Sequence, residues 1–145
     1  MRVVLQRVAR ASVTVENHVV GSVGKGLLLL VGFTAGDGEE QIQWMADKIV
    51  RLRVFPDDEG RMNRDLLDIG GALLVVSQFT LYADVRKGRR PSFVGAAQPD
   101  EANSNYEKFV NELEQRGVPV ATGEFGALMS VELVNDGPVT LILDR

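Results

Sequence analysis

The stretch "GALLVVSQFTLYA", residues 71–83, constrains the fold most. Its first half is apolar at every position, so a strand formed there is apolar on both faces and suits a central strand covered on two sides. The pattern predicts a strand of about ten residues. Ser77, Gln78 and Thr80 interrupt it. Alternation sends Ser77 and Phe79 to one face and Gln78 and Thr80 to the other, unless a bulge intervenes. Burying such groups without partners costs roughly 1–3 kcal/mol each. Either they bond neighbouring loops, or they form a pocket wall whose donors and acceptors face a ligand.

The flanking sequence supplies the layers. VVLQRVARASVTV shows period-2 stretches, residues 16–18 make a turn, and VVGSVGKG leads into LLLLVGF. Ile42, Met45, Ile49 and Leu52 fall at helical spacing behind Glu39 and Glu40. A second helix starts at Pro99, carries Asp100 and Glu101 in its first turn, buries Tyr106, Phe109 and Leu113, and stops before Gly117. VPVATG, ALMSVELV and a well-buried terminal PVTLILD read as further strands, and FPDDEGRMN as a turn. The expectation is an α/β fold: about seven strands in two packed sheets, with helices covering one face, as one domain over residues 1–145.

The composition excludes several classes. LLLLV, the longest apolar run, is far below the roughly 18 residues of a membrane span. MRVVLQRV lacks a signal peptide's hydrophobic block. There is no cysteine, hence no disulfide, thiol nucleophile or thiolate zinc site. A cytoplasmic protein without membrane contact fits. The net charge of −4 argues against a general nucleic-acid or DNA binder. Arg86, Lys87, Arg89 and Arg90 nevertheless concentrate four cations in "RKGRR". Such a loop is either solvated surface or a dock for a short run of phosphates.

Familiar catalytic arrangements are missing. His18 is the only histidine and sits in the expected hairpin turn. "DDEG" at 57–60 lacks the alternating ligands of a calcium loop, and "GSVGKG" lacks P-loop spacing. No metal or cofactor is expected. A different oddity closes the chain: Gly137–Pro138, a poor strand former, directly precedes the apolar run VTLILD.

Together "SQFTLYADVRKGRRPSF" and "NDGPVT" resemble the two signature stretches of the D-aminoacyl-tRNA deacylases, a likeness that extends over essentially the whole chain. The resemblance implies a three-layer α/β/β fold and an enzyme that hydrolyses the ester between a D-amino acid, or glycine, and the 3′-terminal adenosine of tRNA. It further implies a cytoplasmic homodimer with its sites at the interface. Gly137–Pro138 would be cis and form a main-chain clamp for the α-ammonium group, entering the partner's pocket and held by Arg7. Ser77 and Gln78 would line the aminoacyl end of the pocket. Phe125 and Met129 would lie against the adenosine, with core packing as the rival reading. Two mechanisms stay open. Thr80 is a nucleophile needing a base the chain does not display, or the ribose hydroxyl next to the ester helps activate water while N–H groups around Phe79 and Thr80 steady the oxyanion. Two other functions compete: a non-catalytic tRNA 3′-end binder, and a small-molecule esterase or amidase.

Overall fold

A computed structural model describes residues 1–145. Strand β1 (Arg2–Val15) organises it, because a strand this long can serve several neighbours. Along one edge its first half pairs antiparallel with β3 (Gly26–Gly32) and its second half with β2 (His18–Val23). The β1–β2 turn has Glu16 and Asn17 both at positive φ, 48° and 67°, the signature of a type I′ hairpin. Helix α1 (Glu39–Val50) then carries the chain over to the short hairpin β4 (Phe55–Pro56) and β5 (Met62–Arg64) and on to β6 (Ala72–Ser77). Strand β6 lies parallel to β3. Helix α2 (Pro99–Gln115) makes the next crossover, to β7 (Val120–Thr122), parallel to β6. The last strand, β8 (Ser130–Asp144), runs antiparallel along the other edge of β1.

Two apolar clusters result. Leu27, Leu29 and Val31 of β3 and Leu73 and Val75 of β6 face the helices, meeting Ile42, Met45, Ile49, Phe109 and Leu113. Leu28, Leu74 and Val76 point the other way, onto Val8, Ala11 and Val13. The ladder between β1 and β8 shifts register on both sides of Val8, and the second half of β1 folds over the sheet with β2 and β8. Strand β2 then lies so close to β7 that a Cβ on Gly21 would sit 2.3 Å from the Thr122 carbonyl oxygen. These are the two β layers and the helical layer that the doubly apolar run required. Each fully buried Leu contributes roughly 1.5–3 kcal/mol by its removal from water.

The details depart from expectation in four places. First, FPDDEGRMN forms the β4–β5 pair, which brings the strands to eight. Second, β6 ends after six residues, at Ser77, and Phe79–Tyr82 form a 3-10 turn. Its partner β3 ends at Gly32, and Gln78 N–H makes a last bond to Val31 O at 2.7 Å before the chain curls back. Gly32 permits that curl, since a Cβ there would lie 3.0 Å from Gln78 O and 3.2 Å from Leu81 Cβ. Third, the strands expected at ALMSVELV and PVTLILD merge into one, β8, which starts only at Ser130 and has Gly137–Pro138 inside it. Fourth, that strand is not well buried. Val139 is, but Thr140 and Ile142 are exposed, because β8 pairs only with β1. No helix is long and apolar enough to cross a membrane.

Candidate active site

A cavity of about 580 Å³ opens where β6 gives way to the 3-10 turn. Ser77, Gln78 and Phe79 form one wall. Phe93 and the Ala96–Pro99 approach to α2 form the second, and Phe125 to Met129, ahead of β8, form the third. The lining is mostly apolar with a few polar groups, the composition expected of a small-ligand site. Phe125 and Met129 are half-buried and reach the cavity while also packing inward. Phe125 meets the ring of Tyr106 at 6.0 Å. Tyr106 is itself fixed by its hydroxyl donating to Val75 O at 2.8 Å, and burial pushes that phenol up to about 12.

The turn after Ser77 supplies main-chain donors. The first N–H groups of a helical turn have no acceptor within it, which leaves those of Phe79 and Thr80 free of the turn's own bonds. The first bond closed within the turn is Leu81 N–H to Gln78 O, 3.2 Å. Thr80 is exposed beside the cavity rather than lining it, and its hydroxyl accepts a hydrogen bond from the Gln78 side-chain amide. An amide donor is not a base.

Arg2 ties this turn to the far edge of the sheet. Its Nη1 donates to Leu81 O at 2.9 Å, its Nε donates to Asp144 Oδ1 at 2.7 Å, and its guanidinium lies over the Tyr82 ring. The Asp144 hydrogen bond raises the Arg2 pKa. Burial, then the nearby charge of Asp37, pushes the Tyr82 phenol up to about 12.

The basic loop stands at the rim. Asp84 and Ser92 exchange backbone hydrogen bonds of 2.7 and 3.0 Å, closing its base. Next in sequence, Phe93 sets its ring against Phe79, 5.1 Å between centroids and 69° between planes. The four cations are not equivalent. Arg86 grips Asp84 with both ends of its guanidinium, at 2.9 and 2.7 Å, and so holds the Asp84 carboxyl below the usual range. Lys87, Arg89 and Arg90 make no ion pair.

Gly137 and Pro138 lie elsewhere. Asn135 pairs with Val8 and Thr140 with Gln6, so Asp136–Val139 bulge outward opposite the single residue Arg7. The peptide between Gly137 and Pro138 is cis. Arg7 is only 8% exposed, and it braces the bulge: Nε donates to Asp136 O at 2.9 Å, and Nη1 donates to Val54 O. The Asn135 side-chain amide donates to Arg7 O at 2.9 Å and Val139 O at 3.2 Å. Ser77 registers with Val31, and Val31 with Val3, four residues along β1 from Arg7. At about 3.3 Å per residue and 4.8 Å per strand, the bulge stands roughly 20 Å from Ser77.

The structure thus gathers Ser77, Gln78, Phe79, Phe125 and Met129 in one cavity, with Thr80 beside it and the basic loop on its rim. It leaves Arg7, Gly137 and Pro138 outside the cavity of their own chain. Sequence reasoning assigned no role to Asn135 or Phe93. Asn135 had a signal, an Asn in front of a Gly–Pro turn. Phe93 had none, because contact with Phe79 depends on the loop closing at Asp84 and Ser92.

An apolar cavity with a polar wall and main-chain donors beside it is the form of a small-ligand site, and the relatives of this chain give its class, a hydrolase. The chain belongs to the D-Tyr-tRNA(Tyr) deacylase family, whose model matches residues 4–144. It is 63% identical over 145 residues to the D-aminoacyl-tRNA deacylase of Exiguobacterium sibiricum, covering all of both chains. It is 59% identical over 144 residues to that of Roseiflexus castenholzii, covering 99% of this chain and 92% of the relative. Among solved structures, a c-Myc DNA unwinding element binding protein superposes with TM-score 0.94 at 38% identity, covering 100% of this chain and 99% of the other. A probable eukaryotic D-amino acid tRNA deacylase superposes with TM-score 0.84 at 22% identity, covering 99% and 98%, a likeness of fold.

Proposed function

We infer that the protein, acting as one unit over residues 1–145, hydrolyses the ester linking a D-amino acid, or glycine, to the terminal adenosine of tRNA. The observation that carries this reading is the 63% identity to a D-aminoacyl-tRNA deacylase along the entire chain. The cavity agrees with it, since its volume lies within the range of small-ligand sites. Such a substrate is made in the cytoplasm, and we place the protein there.

The reaction adds water to the ester carbonyl, breaks the bond to the ribose oxygen, and releases the free amino acid and tRNA. Phe125 and Met129 flank the adenine, while Ser77 and Gln78 line the aminoacyl end. The Phe79 and Thr80 N–H groups steady the oxyanion, a kind of donor worth roughly 3–4 kcal/mol in related chemistry. Water activation falls to the neighbouring ribose hydroxyl, because Thr80 has an amide donor as its partner and no base.

Chirality is read by main chain. Two copies form a homodimer in which Gly137 and Pro138 of one protomer enter the partner's cavity, and their carbonyl groups hold the α-ammonium. The bulge's separation from its own cavity supports delivery in trans. A D-side chain then points to solvent, an L-side chain collides with the clamp, and glycine passes. Exclusion of this kind discriminates more strongly than an attractive pocket, which resolves a methylene by about 1–3 kcal/mol.

Matched D- and L-aminoacyl-tRNAs test the reading. The D-ester and glycyl ester are released and the L-ester is spared; a tRNA-end binder releases none, and a general esterase ignores the tRNA. Thr80→Ala retains most turnover, whereas tRNA ending in 2′-deoxyadenosine is nearly inert. The opposite pair of results assigns the nucleophile to Thr80.

A further inference from the structure

At the rim the cavity wall carries apolar side chains that stay open to solvent instead of closing over the site. Phe79 and Phe93 are 53% and 39% exposed, although they pack on each other. Val94 beside them is 92% exposed, and Leu128 on the opposite rim is 96% exposed. Exposed apolar groups gathered at a site mouth mark a contact surface. The loop bearing the unpaired Lys87, Arg89 and Arg90 is closed by the Asp84–Ser92 bridge, one residue before Phe93. An apolar shelf and a cationic loop thus stand side by side, and the closed base fixes one against the other.

We propose that Phe93, supported edge-on by Phe79, is a stacking shelf for the base of the nucleotide preceding the terminal adenosine, and that Lys87, Arg89 and Arg90 hold the phosphate joining the two. This rests on the deacylase reading above. If the cavity takes the aminoacylated adenosine, the strand leaves through the mouth in the 5′ direction. Its first phosphate and next base then meet this rim. Aromatic faces stack on any base, and Arg86 is withheld from phosphate by Asp84. The enzyme therefore reads a dinucleotide end rather than a lone aminoacyl-adenosine.

Three substrates separate the contributions: a D-aminoacyl-adenosine, the same ester on a dinucleotide with an abasic penultimate position, and the ester on the complete dinucleotide. kcat/KM is measured for the full chain on each. Restoring the penultimate base raises kcat/KM of the unmodified enzyme by about 5- to 150-fold, the span of one base–aromatic stack. Phe93→Leu keeps bulk against Phe79 but has no aromatic face, and it reduces that gain to about twofold or less. Phe93→Tyr retains the gain. Alanines at Lys87, Arg89 and Arg90 remove the separate gain between adenosine and the abasic dinucleotide. A base effect absent from the unmodified enzyme, or one that survives Phe93→Leu, overturns the shelf, as would be found if a second copy of the chain covered Phe93. If none of the three esters is hydrolysed, D-aminoacyl-tRNA decides: its hydrolysis overturns the dinucleotide reading, and its survival overturns the deacylase reading itself.

Discussion

Arg7→Met tests the brace directly, because it keeps most of the buried stem and deletes the charge. Two hydrogen bonds disappear, to Asp136 O and to Val54 O, and the second lies fully inside the protein. Bonds from a charged donor contribute about 1.5–3 kcal/mol each, and a buried acceptor left alone adds a desolvation penalty. The ion pair with the Asp136 carboxylate, 3.2 Å away and half-exposed, adds less than about 1 kcal/mol. The expected loss is about 3–5 kcal/mol, a large fraction of the 5–15 kcal/mol that holds a typical domain. Urea unfolding should show the midpoint falling at unchanged slope. Arg7→Lys should fall between, because one ammonium on a flexible stem cannot reach both acceptors in the guanidinium's fixed geometry. At temperatures where Arg7→Met remains folded, kcat/KM on D-aminoacyl-tRNA should drop on the order of 100-fold, the effect of a misplacement of about 1 Å. A double-mutant cycle with Asn135→Ala should return a coupling of about 0.5–3 kcal/mol, since both residues hold the same bulge. An Arg7→Met protein within 1 kcal/mol of the parent, or a lysine variant equal to it, would refute the bracing argument.

Three further outcomes follow from the geometry. Gly32→Ala should push the Phe79–Tyr82 turn by a few tenths of an ångström, cost about 1–3 kcal/mol by overpacking, and lower kcat more than it raises KM; unchanged kcat would separate the turn from the chemistry. Alanines at Lys87, Arg89 and Arg90 should flatten the dependence of log Kd on log salt by roughly 0.7 per lost contact, with Arg86→Ala alone changing it less. Asp57 accepts bonds from Asn63 Nδ2 and from the Arg61 and Glu59 N–H groups, and they hold its carboxyl below the usual range. A lowered folded value means stability that is complete above the unfolded pKa of about 3.9 and lost as pH falls through the folded one. Asp57→Asn should therefore be less stable than the parent at pH 7, and the gap should close in acid; a gap constant with pH would remove the carboxylate from the account.

The layers were legible because periodicity reports burial. LLLLV and ALLVV cannot leave either face wet, and both strands are indeed covered twice. The helices announced themselves through Pro99, Gly117 and their apolar stripes. The end of β6 was not legible. QFTLY alternates well enough to be a strand, and what stops it is the end of β3 at Gly32, more than forty residues earlier. The burial of β8 was misread for a similar reason: hydropathy shows that Ile142 is apolar, not that its strand lies at an edge. Of the site, Ser77 and Gln78 stood out as polar breaks in an apolar run, whereas Phe125 and Met129 came only from the family resemblance, and the convergence of the two stretches is long-range. The bulge opposite Arg7 depends on a register that only the folded ladder sets.

Apart from the half-exposed ion pair to the Asp136 carboxylate, the Arg7–Asn135 brace ends on carbonyl oxygens of the backbone: Val54, Asp136, Val139 and Arg7 itself. Acceptors of that kind are present whatever amino acid is encoded there. The codons for 54 and 139 can drift among residues that keep the same backbone path without loosening the bulge. The hereditary burden of keeping it in place then rests on two side chains, one at each end of the gene.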